Sequence, residues 1–345
     1  MTINYQELEK YVNLINSSHS AIKGGISIVR DQSLLPKAVG DSEIHISDNS
    51  ITLLLLYSCF AKDCKLFRDV LFYFYWACAN ITRYKLQATV YCLKKMEEII
   101  LNRESDMYGI AQSIPLDVIV RYVIGHEAIH NCFYRDKNIK NLELDKSSRF
   151  LSEVNDDIMQ TKNVVLKLLF KHLVKEMNDE HIISDEKEEY ACDRLSLKFL
   201  YEHVLRKDLS EDDHKNLILQ LMTATMMLQY DNNMTSLNEG VFNRRIYLAY
   251  ISKHIRLGVL RVANVAYTLQ DIYNYDIEID KYIKTVNNQG QKIISGFSLF
   301  NIASIGYCLS DEMPSFDNLE YYKTLKNELD NVSNYLNHIL FGEVV

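Results

Sequence analysis

Proline is scarce, with three in 345 residues (Pro36, Pro115, Pro314), and there are eleven glycines and one tryptophan. So few breakers argue against a fold of many short strands, and a chain rich in Leu, Ile, Lys, Glu and Tyr reads as mainly helical. Low-complexity tracts, Gly/Ser linkers and a repeat of fixed period are also missing, which argues against a solenoid. No block of Lys or Arg occurs and the net charge is −8, so nucleic-acid binding has no electrostatic footprint. The seven cysteines form an odd set without a CxxC pair, and MTINYQELEK has no charged-then-apolar signal pattern. The expectation is free thiols in a reducing, cytoplasmic compartment.

Long hydrophobic runs are missing as well. The two candidates, Ile51–Ala61 and Val70–Ile81, fall well short of the roughly 20 residues that a spanning helix needs. Asp63, Lys65, Arg68 and Asp69 separate them, so both read as buried core rather than membrane segments.

The apolar content of 48% suffices for one large domain or two modest ones. Leu8, Tyr11, Val12 and Ile15 predict an amphipathic helix over 5–17. Two β-like runs follow, Ile26–Val29 and Glu43–Ser47, the second with Ile44 and Ile46 on one face and His45 on the other. Residues 51–103 read as two or three helices. Leu116 to about Tyr134 reads as another, with Ser113 as cap and Pro115 in the first turn. Residues 135–148 read as a polar, turn-rich excursion that could serve as a lid over the site. Helices are predicted again over 149–178, 185–206, 215–230, 241–275 and 317–340. The fold class expected is mainly α with a small β-sheet (α+β). Its parts are an N-terminal helical and β region (1–110), a core (111–206), and C-terminal helices packed on that core (207–345).

The chemistry lies in VIGHEAIHNCF, residues 123–133. His126 and His130 are four apart, so on a helix they project from one face and can reach one tetrahedral ion. Glu127 is rotated to the flank, where its carboxylate can act as general base on an activated water. With ten histidines in the chain, HExxH arises by chance in roughly one such sequence in fifty. Against coincidence stands the apolar run Val118, Ile119, Val120, Val123 and Ile124, which marks a buried helix whose polar groups need partners.

Catalytic zinc usually has three protein ligands, and NCFYRDKNIK after His130 holds no third histidine, which departs from the metzincin pattern. The next candidates lie in DEKEEYACDRLSLKFL, where Glu189 and Asp193 are spaced i,i+4. Glu189 could reach the metal and Asp193 could accept a ligand imidazole's second N–H. Asp185, Glu186, Glu188 and Glu189 also suit the dipole of a solvated helix N-terminus. Cys132 and Cys192 read as small buried apolar residues off the ligand positions.

HEAIH followed by EYACDRL resembles the gluzincin metallopeptidases, particularly the family of the CAAX-prenyl endopeptidase and the heat-shock peptidase HtpX. Their pattern is HExxH…ExxAD, and the likeness covers residues 116 to 205. It implies a zincin-like catalytic core with zinc on His126, His130 and Glu189, Glu127 as base, and Asp193 orienting a ligand histidine. The position after Ala191 is Cys192, and the membrane helices of that family are not evident here. A soluble helical chain with a central HExxH also resembles, more weakly, the phage-exclusion (Lit-type) peptidases.

The function expected is a zinc-dependent endopeptidase acting on protein or peptide substrates. One alternative is a phage-exclusion, toxin or effector-type protease for one specific host protein, delivered to a target cell if it is an effector. Another is a non-catalytic, metal-stabilised interaction or regulatory protein. His181, Tyr190, Arg194, His203 and His254 are the candidate oxyanion donors. Glu43–Ser47 is the candidate strand for aligning substrate. Oligomeric state and bond specificity have no signature.

Overall fold

The computed structural model describes residues 4–19, 24–31, 36–47, 50–51, 86–102, 116–160 and 180–205. It also describes isolated helical positions at 54, 70, 73, 77, 217, 221, 261, 264–265, 267–269 and 271–272. The expected helix over 317–340 and both boundaries of the expected core, 110/111 and 206/207, lie outside the described residues.

Helix α1 (Tyr5–His19) starts where the Asn4 side chain accepts hydrogen bonds from the amides of Gln6 and Glu7 at 3.0 and 3.4 Å. Leu8, Tyr11, Val12 and Ile15 are buried, as their spacing predicts. The sheet has three strands: β1 (Ser27–Arg30), β2 (Lys37–Val39) and β3 (Glu43–Ile46), in the order β1-β3-β2. β1 runs parallel to β3, with Ile28 opposite Ile44, and β2 runs antiparallel, with Ala38 opposite Ile44. Ile44 and Ile46 are fully buried on one face. His45, on the other, bonds Asp31 at 2.9 Å and Glu43 at 3.1 Å, which hold its imidazole above the usual histidine range. β2 is a strand that the sequence did not reveal. Three residues between Pro36 and the turn at Gly40, whose φ is +61°, are too few to alternate visibly.

Four further helices are described over their length: α2 (Leu86–Leu101), α3 (Leu116–Arg135), α4 (Lys137–Gln160) and α5 (Glu180–His203). α4 corrects the expected excursion over 135–148. Asp136 alone interrupts the helices, and its carboxylate accepts from the amides of Asn138 and Ile139 at 3.0 and 3.1 Å. A polar stretch with a good cap and no breaker continues as a helix with a solvated face. Among the described residues no helix is long and apolar enough to cross a membrane.

α3 is the centre of the packing. It lies against α1, α4, α5 and the sheet, so Ile119, Val120, Val123, Ile124, Ala128, Ile129 and Phe133 are all buried. Asn131 ties the β2–β3 turn to it, donating to the carbonyls of Gly40 and Glu43 at 2.9 and 3.2 Å. α3 and α5 meet closely at Gly125, where an added Cβ would stand 2.5 Å from the Ser196 hydroxyl oxygen. That hydroxyl donates to the Tyr122 carbonyl at 2.6 Å. Gly125→Ala is therefore expected to destabilise the fold by about 1–3 kcal/mol despite its better helix propensity. Urea denaturation checks this, and adding Ser196→Gly to relieve the clash should recover part of the loss. A neutral or stabilising Gly125→Ala would mean that the two helices part at little cost.

Candidate metal centre

Adjacent turns of α3 carry His126 and His130 on the face turned to α5, and their Nε2 atoms lie 3.0 Å apart. Glu189 of α5 places Oε2 at 3.2 Å from Nε2 of His126, and Oε1 at 3.2 Å from Nε2 of His130. Two donors at 2.0–2.1 Å from one tetrahedral ion stand about 3.3 Å apart. Each separation is close to that value, although the two Glu189 contacts are made by different carboxylate oxygens, so the two imidazoles and one of these oxygens are near enough to share a zinc-sized ion. The Glu189 side chain is 35% exposed while that of His126 is 5% exposed, so the cluster is reached from the Glu189 side.

The outer partners are built as firmly. Asp193, fully buried one turn beyond Glu189, lies 2.8 Å from Nδ1 of His126 and accepts from the Tyr122 hydroxyl at 2.7 Å. Such a carboxylate fixes the tautomer and ring orientation of a ligand histidine. His130 has its own partner, Glu188, 3.1 Å from Nδ1 and ion-paired with Lys140 of α4. Sequence reasoning assigned Glu188 only to the helix dipole. Adjacent carboxylates are about 100° apart around a helix, so the two can serve different ring nitrogens.

Arg261 is the residue that sequence reasoning missed entirely. It is 4% exposed, and its guanidinium donates to Asp193 at 2.6 and 2.9 Å and meets Glu189 at 3.2 Å. Its Nη2 is also 3.3 Å from both ring nitrogens of His126. The only hint in the sequence is a lone arginine inside the apolar stretch LGVLRVANVA. Burial by itself would raise the carboxyls of Glu189 and Asp193, but Arg261 and the histidine contacts outweigh it. Glu189 is held well below the usual range and Asp193 below it. Burial would likewise lower both imidazoles. Asp193 and Glu189 overcome this for His126, and Cys192, Glu188 and Glu189 for His130, so both are raised.

Cys192 corrects a sequence reading. It is buried as expected, yet it does not lie off the cluster: its sulfur and one ring nitrogen each of His126 and His130 all fall within 4.8 Å of one another. It is i+3 from Glu189 and shares its helix face. Burial pushes the metal-free thiol up to about 12. Cys132 points to α1 instead, its thiol 3.8 Å from the Asn16 side-chain oxygen.

Glu127 stands on the flank of α3 as its position requires, and its Oε2 accepts from the Ala38 amide of β2 at 2.7 Å. The strand beside the motif is therefore β2. The expectation for Glu43–Ser47 fails on topology, because β3 is paired on both sides and has no edge to offer a substrate. The expected oxyanion donors divide. Arg194 is engaged by Glu143 at 2.6 Å, and His203 lies near the end of α5 beside Phe199. Tyr190 is buried, with its carbonyl accepting from Asn264 at 3.2 Å. The side chains of His181 and His254 lie outside the described residues.

Comparison with protein-family models, with curated proteins and with solved structures finds no match.

Proposed function

We propose that this protein is a zinc-dependent endopeptidase of gluzincin type, with His126, His130 and Glu189 as the ligands and Glu127 as the general base. The observation that carries the reading is the convergence of the His126 and His130 imidazoles and the Glu189 carboxylate beside a glutamate held at a strand edge. A zinc ion held there would supply Lewis acidity and an acidified water.

The rest of the mechanism belongs to the chain. Asp193 and Glu188 hold the two imidazoles through Nδ1, leaving Nε2 to face the centre. Glu127 takes the proton of the attacking water and returns it to the leaving amine. An extended substrate backbone lies along β2, competing with Glu127 for the Ala38 amide, so that substrate arrival frees the base. Arg261 is charged and near His126, and it is the described cation best placed to favour developing negative charge. The substrate is a protein or peptide, as the HExxH chemistry implies, with one specific host protein as the narrow form of the same reading.

A second reading has one observation in its favour. Structural zinc sites are closed by four protein ligands, and Cys192 could complete such a set in a non-catalytic interaction protein. One experiment separates the two. Zinc-loaded wild type and Glu127→Gln are incubated with a proteome-wide pool of native and unfolded proteins, and new N-termini are read by mass spectrometry. The peptidase reading expects cleavage by wild type, reduced about 10²–10⁴-fold in Glu127→Gln with zinc retained. Zinc-loaded wild type that generates no new termini would favour the closed centre.

A further inference from the structure

We infer that Cys192 is itself a metal-ligating thiolate of this centre, which makes the site selective for thiophilic dications and closes it in the resting state. This rests on the metal-binding reading of His126 and His130. It goes beyond that reading by adding a soft ligand that an HExxH site does not require.

Three observations converge on it. The Cys192 sulfur and the imidazole donors of His126 and His130 form a group whose atoms all lie within 4.8 Å of one another. The side chain is fully buried with its sulfur beside the imidazoles, so it is directed at the cluster and not only packed in core. Its helix is fixed against α3 on the same stretch, by Asp193 on the Tyr122 hydroxyl and Ser196 on the Tyr122 carbonyl.

On binding, the S–H bond breaks, a metal–sulfur bond forms and the proton passes to solvent, with no change of oxidation state. Two imidazoles and a thiolate select zinc, cobalt(II) or cadmium over magnesium or calcium. With Glu189 also bound, four protein donors fill a tetrahedral shell. Substrate hydrolysis then requires the thiolate to leave and take up a proton.

Cobalt(II), loaded into the metal-free full-length protein, reads this directly. The expected result is visible ligand-field bands together with a near-ultraviolet sulfur-to-cobalt charge-transfer band. Cys192→Ala and Cys192→Ser should lose the charge-transfer band and keep the visible ones, with zinc affinity lowered on the order of 10-fold or more. Cys132→Ala should keep both. Visible bands without a charge-transfer band in wild type would overturn the Cys192 assignment and leave the nitrogen and carboxylate centre standing. A charge-transfer band that survives Cys192→Ala would overturn it too. No bound cobalt would overturn both this assignment and the metal reading beneath it. The wild-type spectrum decides whether sulfur is bound even if a variant fails to fold.

Discussion

Glu189→Ala is expected to lower the zinc content of purified protein sharply below about one ion per chain, with the two imidazoles and Cys192 as the remaining donors. Glu189 bridges the two Nε2 atoms at 3.2 Å each, so its loss removes the donor that spans the pair. It also leaves Arg261 beside His126 with one carboxylate fewer to hold it away from an incoming cation. Mass spectrometry of native protein and elemental analysis measure the stoichiometry, with Glu189→Gln as a control that keeps the side-chain shape. Full zinc retention in Glu189→Ala would move the third position elsewhere. If zinc then disappears in Glu189→Ala/Cys192→Ala, the third position belongs to Cys192. If it persists even there, the carboxylates Glu153, Asp156 and Asp157 become the next candidates. No zinc in wild type after reconstitution would reduce HExxH to coincidence.

The largest stability effect is expected at Arg261. Its guanidinium is buried between Asp193, which is fully buried, and Glu189, and among the described residues no other cation meets Asp193 apart from the imidazole of His126. Arg261→Ala strips the fully buried Asp193 carboxylate of its guanidinium partner, and breaking such a buried pair destabilises by about 3–5 kcal/mol. The loss should be smaller in zinc-loaded protein, where a dication shares the compensation. The pH dependence follows from the direction of the shifts. Both carboxyls sit below their ordinary values in the fold, so their contribution is present above the ordinary carboxylate range and is lost as pH falls through the lowered values. Arg261 is the largest influence opposing burial at each, so its removal should start that acid loss at higher pH. Urea denaturation across pH, with and without zinc, tests both points. A loss below about 1 kcal/mol, or one indifferent to zinc, would show that Arg261 packs without compensating the centre.

How much of this was legible in the sequence depended on the range of the contact. Helix α1 and its buried stripe followed from four residues at helical spacing, and the facing of His126 and His130 followed from one turn of geometry. Ile44 and Ile46 declared the inner face of β3 by alternation. Composition misled at residues 137–148, where polar residues suggested a loop although Asp136 caps a helix there. β2 escaped because three residues carry no period, and with it went the identity of the strand beside Glu127.

The sequence by itself determined what lies within one helical turn: two imidazoles on one face, a carboxylate on the flank, and Glu189 with Asp193 four residues apart. Tertiary structure decided what joins those pieces. The packing of α3 on α5, closed down to contact at Gly125 and Ser196, sets which acid meets which ring nitrogen. That assigned Glu188 to His130, drew Cys192 into the cluster and brought in Arg261, 135 residues from His126. Spacing rules express the periodicity of one element, while contacts between elements depend on how whole faces pack, and no interval in the chain encodes that.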